Sequence, residues 1–433
     1  MKRRDFIKKS SVVAVATFIP STVFAGADRA GANDRVGVGY IGCGRRAKQL
    51  LGLPKNAEIV GTADCNITRA KKFTDKTKNA YQDYRKLLER SDLNAVVIAS
   101  PDHWHALHTV HACQAEKDVY CEKPINLTIR EGQLQVMAVR NCKRIFQAGS
   151  QQRSMAINVA GCKLIRDGAL GDIKKVVAKN YESPWLCKLP AQPCPKEINW
   201  DMWCGQTEVR PYHKDIYTPR ANPGWISFRR YSGGEVTGWG AHGLDQIQCA
   251  LGMDDSGPVE IWVESDPKYY EYVFTEPKPR EWGYKNTPNP RVHYRYANGI
   301  EVILDDGPGG GGVFYGSKGK MHLDRGKVKT SPNTIGKEVL AKAKLQKGDT
   351  KKHIKNWIDC VISREDPVAP VEVAHRTTVV CHLVNIARWL GRKIEWDPKT
   401  ETFPNDKEAT ALIERKERAG YEIPWVCSIP VVG

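Results

Sequence analysis

The residues best placed to do chemistry begin at Gly42. Gly42, Gly44 and Ala47 stand as G-x-G-x-x-A inside VGVGYIGCGRRA, directly after the short apolar run Val36 to Ile41. That spacing supplies a tight turn, a close backbone approach for a pyrophosphate, and a small residue where helix packs on strand. The exposed N–H groups at the start of the next helix favour negative charge. A second strand, Glu58 to Ala63, ends in Asp64. A carboxylate there accepts hydrogen bonds from a ribose 2′-hydroxyl and repels a 2′-phosphate, which points to NAD rather than NADP. The alternative is a glycine loop in a cofactor-free α/β domain. Lys123 is the next candidate, in Cys121-Glu122-Lys123-Pro124 after the strand Asp118 to Cys121. A lysine at a strand end, fixed by a following proline, can aim its ammonium at a substrate oxygen and relay a proton. An ion pair with Glu122 is the competing use.

These residues need a sheet beneath them. The run Ala95 to Ala99 reads as a buried parallel strand, and Ser100–Pro101 turns out of its carboxyl end, where open α/β sheets bind ligands. His105, His108 and His111 follow at helical spacing. No carboxylate or cysteine completes a ligand set, so they read as a helix face and not as a metal site. A helix (Arg130 to Asn141) and a strand (Arg144 to Ala148) close this half. The later half is a run of strands: Asp172 to Tyr181, Val259 to Glu264, Val292 to Tyr296, Ile300 to Leu304, and a hairpin with Lys318–Gly319 at its tip. His353 to Val361 and Val371 to Trp389 return to helical periodicity and are expected to brace the junction. His375 reads as a structural histidine. The expected organisation is a signal over residues 1–25, an NAD-binding Rossmann domain over 33–150, a substrate and oligomerisation domain over 151–350, and a helical return with a C-terminal wrap over 351–433. The fold class is therefore α/β: a doubly wound parallel sheet followed by an α+β domain with a mostly antiparallel sheet.

A loop-rich insert, Ser183 to Gly234, carries Trp185, Trp200, Trp203 and Trp225, with Trp239 close behind. Most of these rings are expected to form the insert's own core. Tyr181 and Trp185 are the two chosen to face a sugar ring. Arg153, at the domain junction, can hold a substrate hydroxyl or carboxylate, or form an inter-domain ion pair.

Arg3 and Arg4, the apolar run Val12 to Ile19 and the site Val23–Phe24–Ala25 read as a twin-arginine signal cleaved after Ala25. The apolar run is too short to span a bilayer, and no later run is long enough. The route implies an exported, periplasmic protein that meets the twin-arginine machinery with its cofactor already loaded. The net charge of +17 falls to about +13 once that segment is removed. No nucleic-acid module accompanies the charge, and the basic run Lys337 to Lys352 reads as solvated. The thirteen cysteines are odd in number. Cys187, Cys194 and Cys204 are the best candidates for a bridge, and their spacing matches no zinc ribbon.

GCGRRA, Asp64, SPDHWH (Ser100 to His105), CEKP (Cys121 to Pro124), GSQQRS (Gly149 to Ser154), SGGEVTGWGAHGLD (Ser232 to Asp245) and VEVAHRTT (Val371 to Thr378) together resemble the glucose–fructose oxidoreductase/inositol dehydrogenase (Gfo/Idh/MocA) family. The resemblance implies a nicotinamide oxidoreductase in which the catalytic lysine is Lys123 and the catalytic histidine His242. It implies cofactor contacts from Gly42, Cys43, Gly44, Arg45, Arg46, Asp64, Ser100, Pro101, His105, Glu122 and Gln151, and substrate contact from Asp245. The family's aspartate four residues before the histidine is replaced by Gly238. The expected reaction is hydride transfer from a sugar hydroxyl to tightly bound, recycled NAD, with His242 as general base and Lys123 steadying the oxygen. The alternatives are redox-neutral cleavage of a glycoside through a transient 3-keto sugar, and a non-catalytic sugar sensor. A homodimer or tetramer is the expected assembly.

Overall fold

In a computed structural model, residues 35–220, 222–264, 272–346 and 350–424 are described. The expected twin-arginine signal and Cys427 lie outside the described residues.

The first sheet is parallel throughout. Its strands are β1 (Val36–Ile41), β2 (Ala57–Ala63), β3 (Ala80–Tyr81), β4 (Ala95–Ile98), β5 (Asp118–Cys121) and β6 (Phe146–Ala148), in the order β3-β2-β1-β4-β5-β6. Every residue of β1, β4 and β5 is buried. That is why these runs are apolar without alternation: helices cover both faces. The strand order reverses between β1 and β4, and such a switch point opens a crevice at the carboxyl ends of the strands. Gly42 and Ser100 sit at those two ends. β6 begins at Phe146 and not at Arg144, because the Ile145 N–H donates to Asp118 Oδ1 at 2.8 Å.

The second sheet has eight strands in the order Lys327–Ser331, Gly319–Asp324, Gly312–Gly316, Ile173–Lys179, Glu301–Asp305, Val292–Tyr296, Pro258–Val263 and Ile394–Glu395. Only the pairing of Ile173–Lys179 with Glu301–Asp305 is parallel. Helices Ala156–Arg166, Gly240–Leu251 and Val371–Leu390 contribute to the core on this sheet. Helix Val371–Leu390 joins the two cores: Val371 and Ala374 pack in the first, Val379 to Ala387 in the second. Helix Thr350–Ser363 packs Ile354, Trp357 and Ile358 against Val38 and Tyr40 of β1. Helix Val371–Leu390 therefore bridges the two halves, while helix Thr350–Ser363 packs on the first sheet and touches Ser154 through His353.

The insert builds a small core of its own from Trp185, Trp203, Phe228, Tyr231 and Phe274. It also crosses the end of β2. Ile67 N–H donates to Glu197 O at 3.1 Å and Asn199 N–H to Cys65 O at 2.9 Å, around the bridge Asn66–Ile198. The twelve described cysteines are unpaired. The expected bridge within Cys187, Cys194 and Cys204 does not form: all three thiols are free.

Candidate active site

One cleft of about 860 Å³ runs along the carboxyl edge of the first sheet. Gly42 has φ +85°, and a Cβ there would meet Ser100 N at 2.6 Å, so only glycine makes this turn without strain. Gly44 differs: a Cβ there would meet no protein atom within 4 Å and would stand in the cleft. Asp64 closes the turn, accepting the Cys43 N–H on Oδ2 and the Asn66 N–H on Oδ1, each at 2.8 Å. Arg69 lies 3.6 Å from the same carboxylate, with its guanidinium over the Tyr217 ring of the insert. A turn with an open glycine, a carboxylate at the next strand end and an aromatic-lined wall fits a dinucleotide.

Ser100 and Pro101 form the second wall. His105 ties this wall to the lysine turn, with Nε2 2.8 Å from Ser100 O and Nδ1 2.5 Å from Pro124 O. His108 stacks on Trp104 and lies 3.1 Å from Ser100 Oγ, and His111 bonds Tyr84. Each of the three imidazoles is thus held by protein groups. His375 bonds Glu401 at 2.9 Å. Glu122 does not hold Lys123. It accepts Arg46 at 2.8 Å and Gln151 at 3.0 Å. Burial alone would raise its carboxyl; the Arg46 guanidinium overrides this and holds it below the usual range.

Lys123, half-buried, reaches across from the first half to the second. Its Nζ donates to Gly238 O at 2.5 Å. A Cβ on Gly238 would lie 2.9 Å from Glu235 Oε2, so the Glu235 carboxylate stands beside the place a longer side chain would fill. Burial pushes the Lys123 ammonium below its ordinary range; Glu122 opposes this and Arg220 adds to it. His242, in the first turn of helix Gly240–Leu251, is 7 % exposed. Burial, then Lys123 and Arg325, hold its imidazole well below the usual range, so it is neutral near pH 7. Arg325 Nη1 lies 3.3 Å from His242 Nε2, and His242 Nδ1 is buried without a hydrogen-bond partner.

The cleft brings together Gly42, Cys43, Gly44, Arg45, Arg46, Asp64, Ser100, Pro101, His105, Glu122, Lys123, Gln151 and His242. The chain belongs to the Gfo/Idh/MocA family. Residues 36–150 match the model of its NAD-binding Rossmann fold, and residues 155–423 that of its C-terminal alpha/beta domain. Inositol 2-dehydrogenase of Salmonella typhimurium is 30 % identical over 152 residues, covering 34 % of this chain and 45 % of that protein. The chain thus spans about half the length of the curated relatives it matches. Two solved structures share the fold. One is the Chromobacterium violaceum WlbA dehydrogenase with NADH and UDP-GlcNAcA (TM-score 0.59, 14 % identity, 85 % of this chain and 98 % of that one). The other is levoglucosan dehydrogenase with NADH and levoglucosan (TM-score 0.56, 15 % identity, 83 % and 99 %).

Four expected substrate contacts lie outside the cleft. Arg153 is sealed in the junction, holding Asp245 through Nε at 2.8 Å and Asp254 through Nη2 at 2.7 Å. Asp245 also accepts Thr377 Oγ1 at 3.2 Å, so both members of that pair are consumed by structure. Tyr181 turns its hydroxyl to Gly309 O at 3.0 Å. Trp185 is buried in the insert core, packed on Phe274 and bonding Thr287 Oγ1 at 3.1 Å. Among the aromatic rings that line the cleft instead are Trp225 and Trp239, the latter 47 % exposed and 5.7 Å from the His242 ring. Arg220 and Arg325 line the same end. Sequence reasoning named neither arginine, because nothing local distinguishes Arg325 from any other basic residue in a strand turn.

Proposed function

We propose that this protein is an NAD-dependent oxidoreductase that transfers hydride from a hydroxyl-bearing carbon of a sugar or sugar derivative. It is exported to the periplasm by the twin-arginine route with its cofactor bound and recycled, and it assembles as a homodimer or tetramer. One observation carries the reading: the Gly42–Arg46 turn, Asp64, Lys123 and His242 share one cleft. The inositol and levoglucosan dehydrogenases among its relatives support the sugar class.

Gly42, Cys43, Gly44, Arg45 and Arg46 would hold the pyrophosphate, and Asp64 the ribose; Ser100, Pro101, His105, Glu122 and Gln151 would frame the nicotinamide end. Bound there, NAD supplies the hydride acceptor. Neutral His242 takes the hydroxyl proton, and Lys123 donates a hydrogen bond to the oxygen as it becomes a carbonyl. Trp225 and Trp239 offer faces to the sugar's C–H side.

The test uses protein lacking residues 1–25, purified without added nucleotide. Bound nucleotide is released and identified, then a panel of free sugars and glycosides is offered while reduced-nicotinamide absorbance and products are followed. Bound or bindable NAD with formation of a keto sugar supports the reading. Released aglycone without net reduction would replace it with redox-neutral cleavage. Nucleotide binding without turnover would make the protein a sensor.

A further inference from the structure

The end of the cleft beyond Lys123 gathers three basic side chains. Lys123, Arg220 and Arg325 line it together with His242, Trp225 and Trp239. Three carboxylates stand at this end and each is already engaged: Asp102 accepts Ser232 Oγ at 2.6 Å, Glu122 accepts Arg46 at 2.8 Å, and Glu235 is paired with Arg220 and Arg280. Arg220 is held in place by Glu235, through Nε at 3.1 Å and Nη2 at 3.2 Å. Arg325 is aimed by its own turn: Asp324 Oδ1 accepts both the Arg325 and the Gly310 N–H at 2.8 Å.

The contact between Arg325 and His242 sets a chemical condition. A guanidinium can only donate, so the 3.3 Å approach of Nη1 to Nε2 uses the imidazole lone pair and leaves the ring proton on Nδ1. That lone pair is the one a general base needs. As long as Arg325 donates to it, it is not available to a sugar hydroxyl. A guanidinium binds a carboxylate or sulfate more strongly than a neutral imidazole, because both partners are charged and the geometry is two-pronged.

Resting on the sugar oxidoreductase reading above, the geometry points to a substrate that carries an acidic group, a carboxylate or a sulfate ester, bound by Arg325 beside Arg220. Binding that group draws the Arg325 guanidinium from His242 and frees Nε2 to take the hydroxyl proton. Arg325 is thus both a specificity residue and a positioning residue for the base.

The experiment compares three matched sugars on the mature holoprotein: a neutral methyl glycoside, its uronate and its sulfate ester. Single-turnover reduction of the bound nicotinamide is read for the parent protein, Arg325→Gln and Arg325→Lys. The acidic sugars should be favoured by about 100-fold in the apparent second-order rate constant of that reduction. Arg325→Gln should collapse that acid-to-neutral ratio towards unity, and Arg325→Lys should restore part of it. The variant should also move the acid limb of the pH profile to higher pH, since a cation beside His242 has been removed. Preference for the uronate over the sulfate ester assigns a carboxylate, and the reverse a sulfate. A neutral sugar oxidised as well as the acidic ones, with a ratio Arg325→Gln leaves unchanged, overturns the inference while the oxidoreductase reading stands. If no nicotinamide binds, that reading fails first. Calorimetry of the uronate and the sulfate ester with the parent and Arg325→Gln proteins then decides the acidic site alone: binding lost in the variant keeps it, and equal or absent binding ends it.

Discussion

Arg46 and Arg153 are both held by carboxylates near the meeting of the two halves, yet they do opposite things. The Arg46 side chain is 33 % exposed, pairs with Glu122 and forms part of the cleft wall. The Arg153 side chain is 6 % exposed and carries two carboxylates, Asp245 and Asp254, out of reach of the cleft. One pair organises a place for a ligand; the other fastens helix Gly240–Leu251 to the segment that follows the first sheet. An arginine among polar residues is therefore weak evidence of a site. What separates the two is whether the carboxylates exhaust the guanidinium.

The comparison breaks most sharply at Lys123, the charge that reaches across the cleft. Lys123→Met should lower kcat by about 10³-fold with the fold intact, measured as turnover beside thermal melting. An equal loss in Tm would move Lys123 to the side of Arg153. Arg153→Met should leave the buried Asp245 carboxylate without its cation and lower stability by about 3 kcal/mol, read as a fall in Tm. The fraction that remains folded should still bind NAD, because this pair touches no cleft residue. Asp64→Ala should weaken NAD relative to NADP by about 10-fold in Kd, roughly 1.4 kcal/mol. The pH profile sharpens the contrast with the smallest effect. Burial, Lys123 and Arg325 depress the His242 imidazole, so the base stays unprotonated well below pH 6.5 and kcat/KM should show no acid limb near neutrality. Lys123 is also depressed, so the alkaline fall should come below its ordinary value of 10.5.

The sequence made the parallel sheet legible because the runs now seen as β1, β4 and β5 are apolar on both faces and each is punctuated by a glycine or proline turn. The cofactor side of the cleft was legible for the same reason: Gly42, Ser100 and Lys123 each lie at a strand end. The sugar side was not. Trp185 and Trp239 are both tryptophans in loop-rich sequence, and only the folded insert decides that the first packs on Phe274 while the second stays exposed. Asp245 stands one helical turn beyond His242, and the resemblance implied that it touches substrate. The helix sits so deep that Asp245 meets Arg153 and Thr377 before it can meet a ligand. Arg325 reaches His242 across 83 positions, a contact that local pattern does not encode. In the sequence alone Gly238 stands as the replacement of the family's aspartate. In the fold its carbonyl oxygen takes the Lys123 hydrogen bond, with Glu235 standing close by.

The central claim is that a sugar C–H bond gives its hydride within the cleft that holds Lys123 and His242. It is tested most directly with a sugar deuterated at the reacting carbon, mixed with the oxidised holoprotein and quenched within one turnover. Deuterium recovered in the reduced nicotinamide, and lost with Lys123→Met, is the predicted result. Deuterium remaining on the sugar, or released to water while product forms, would contradict it.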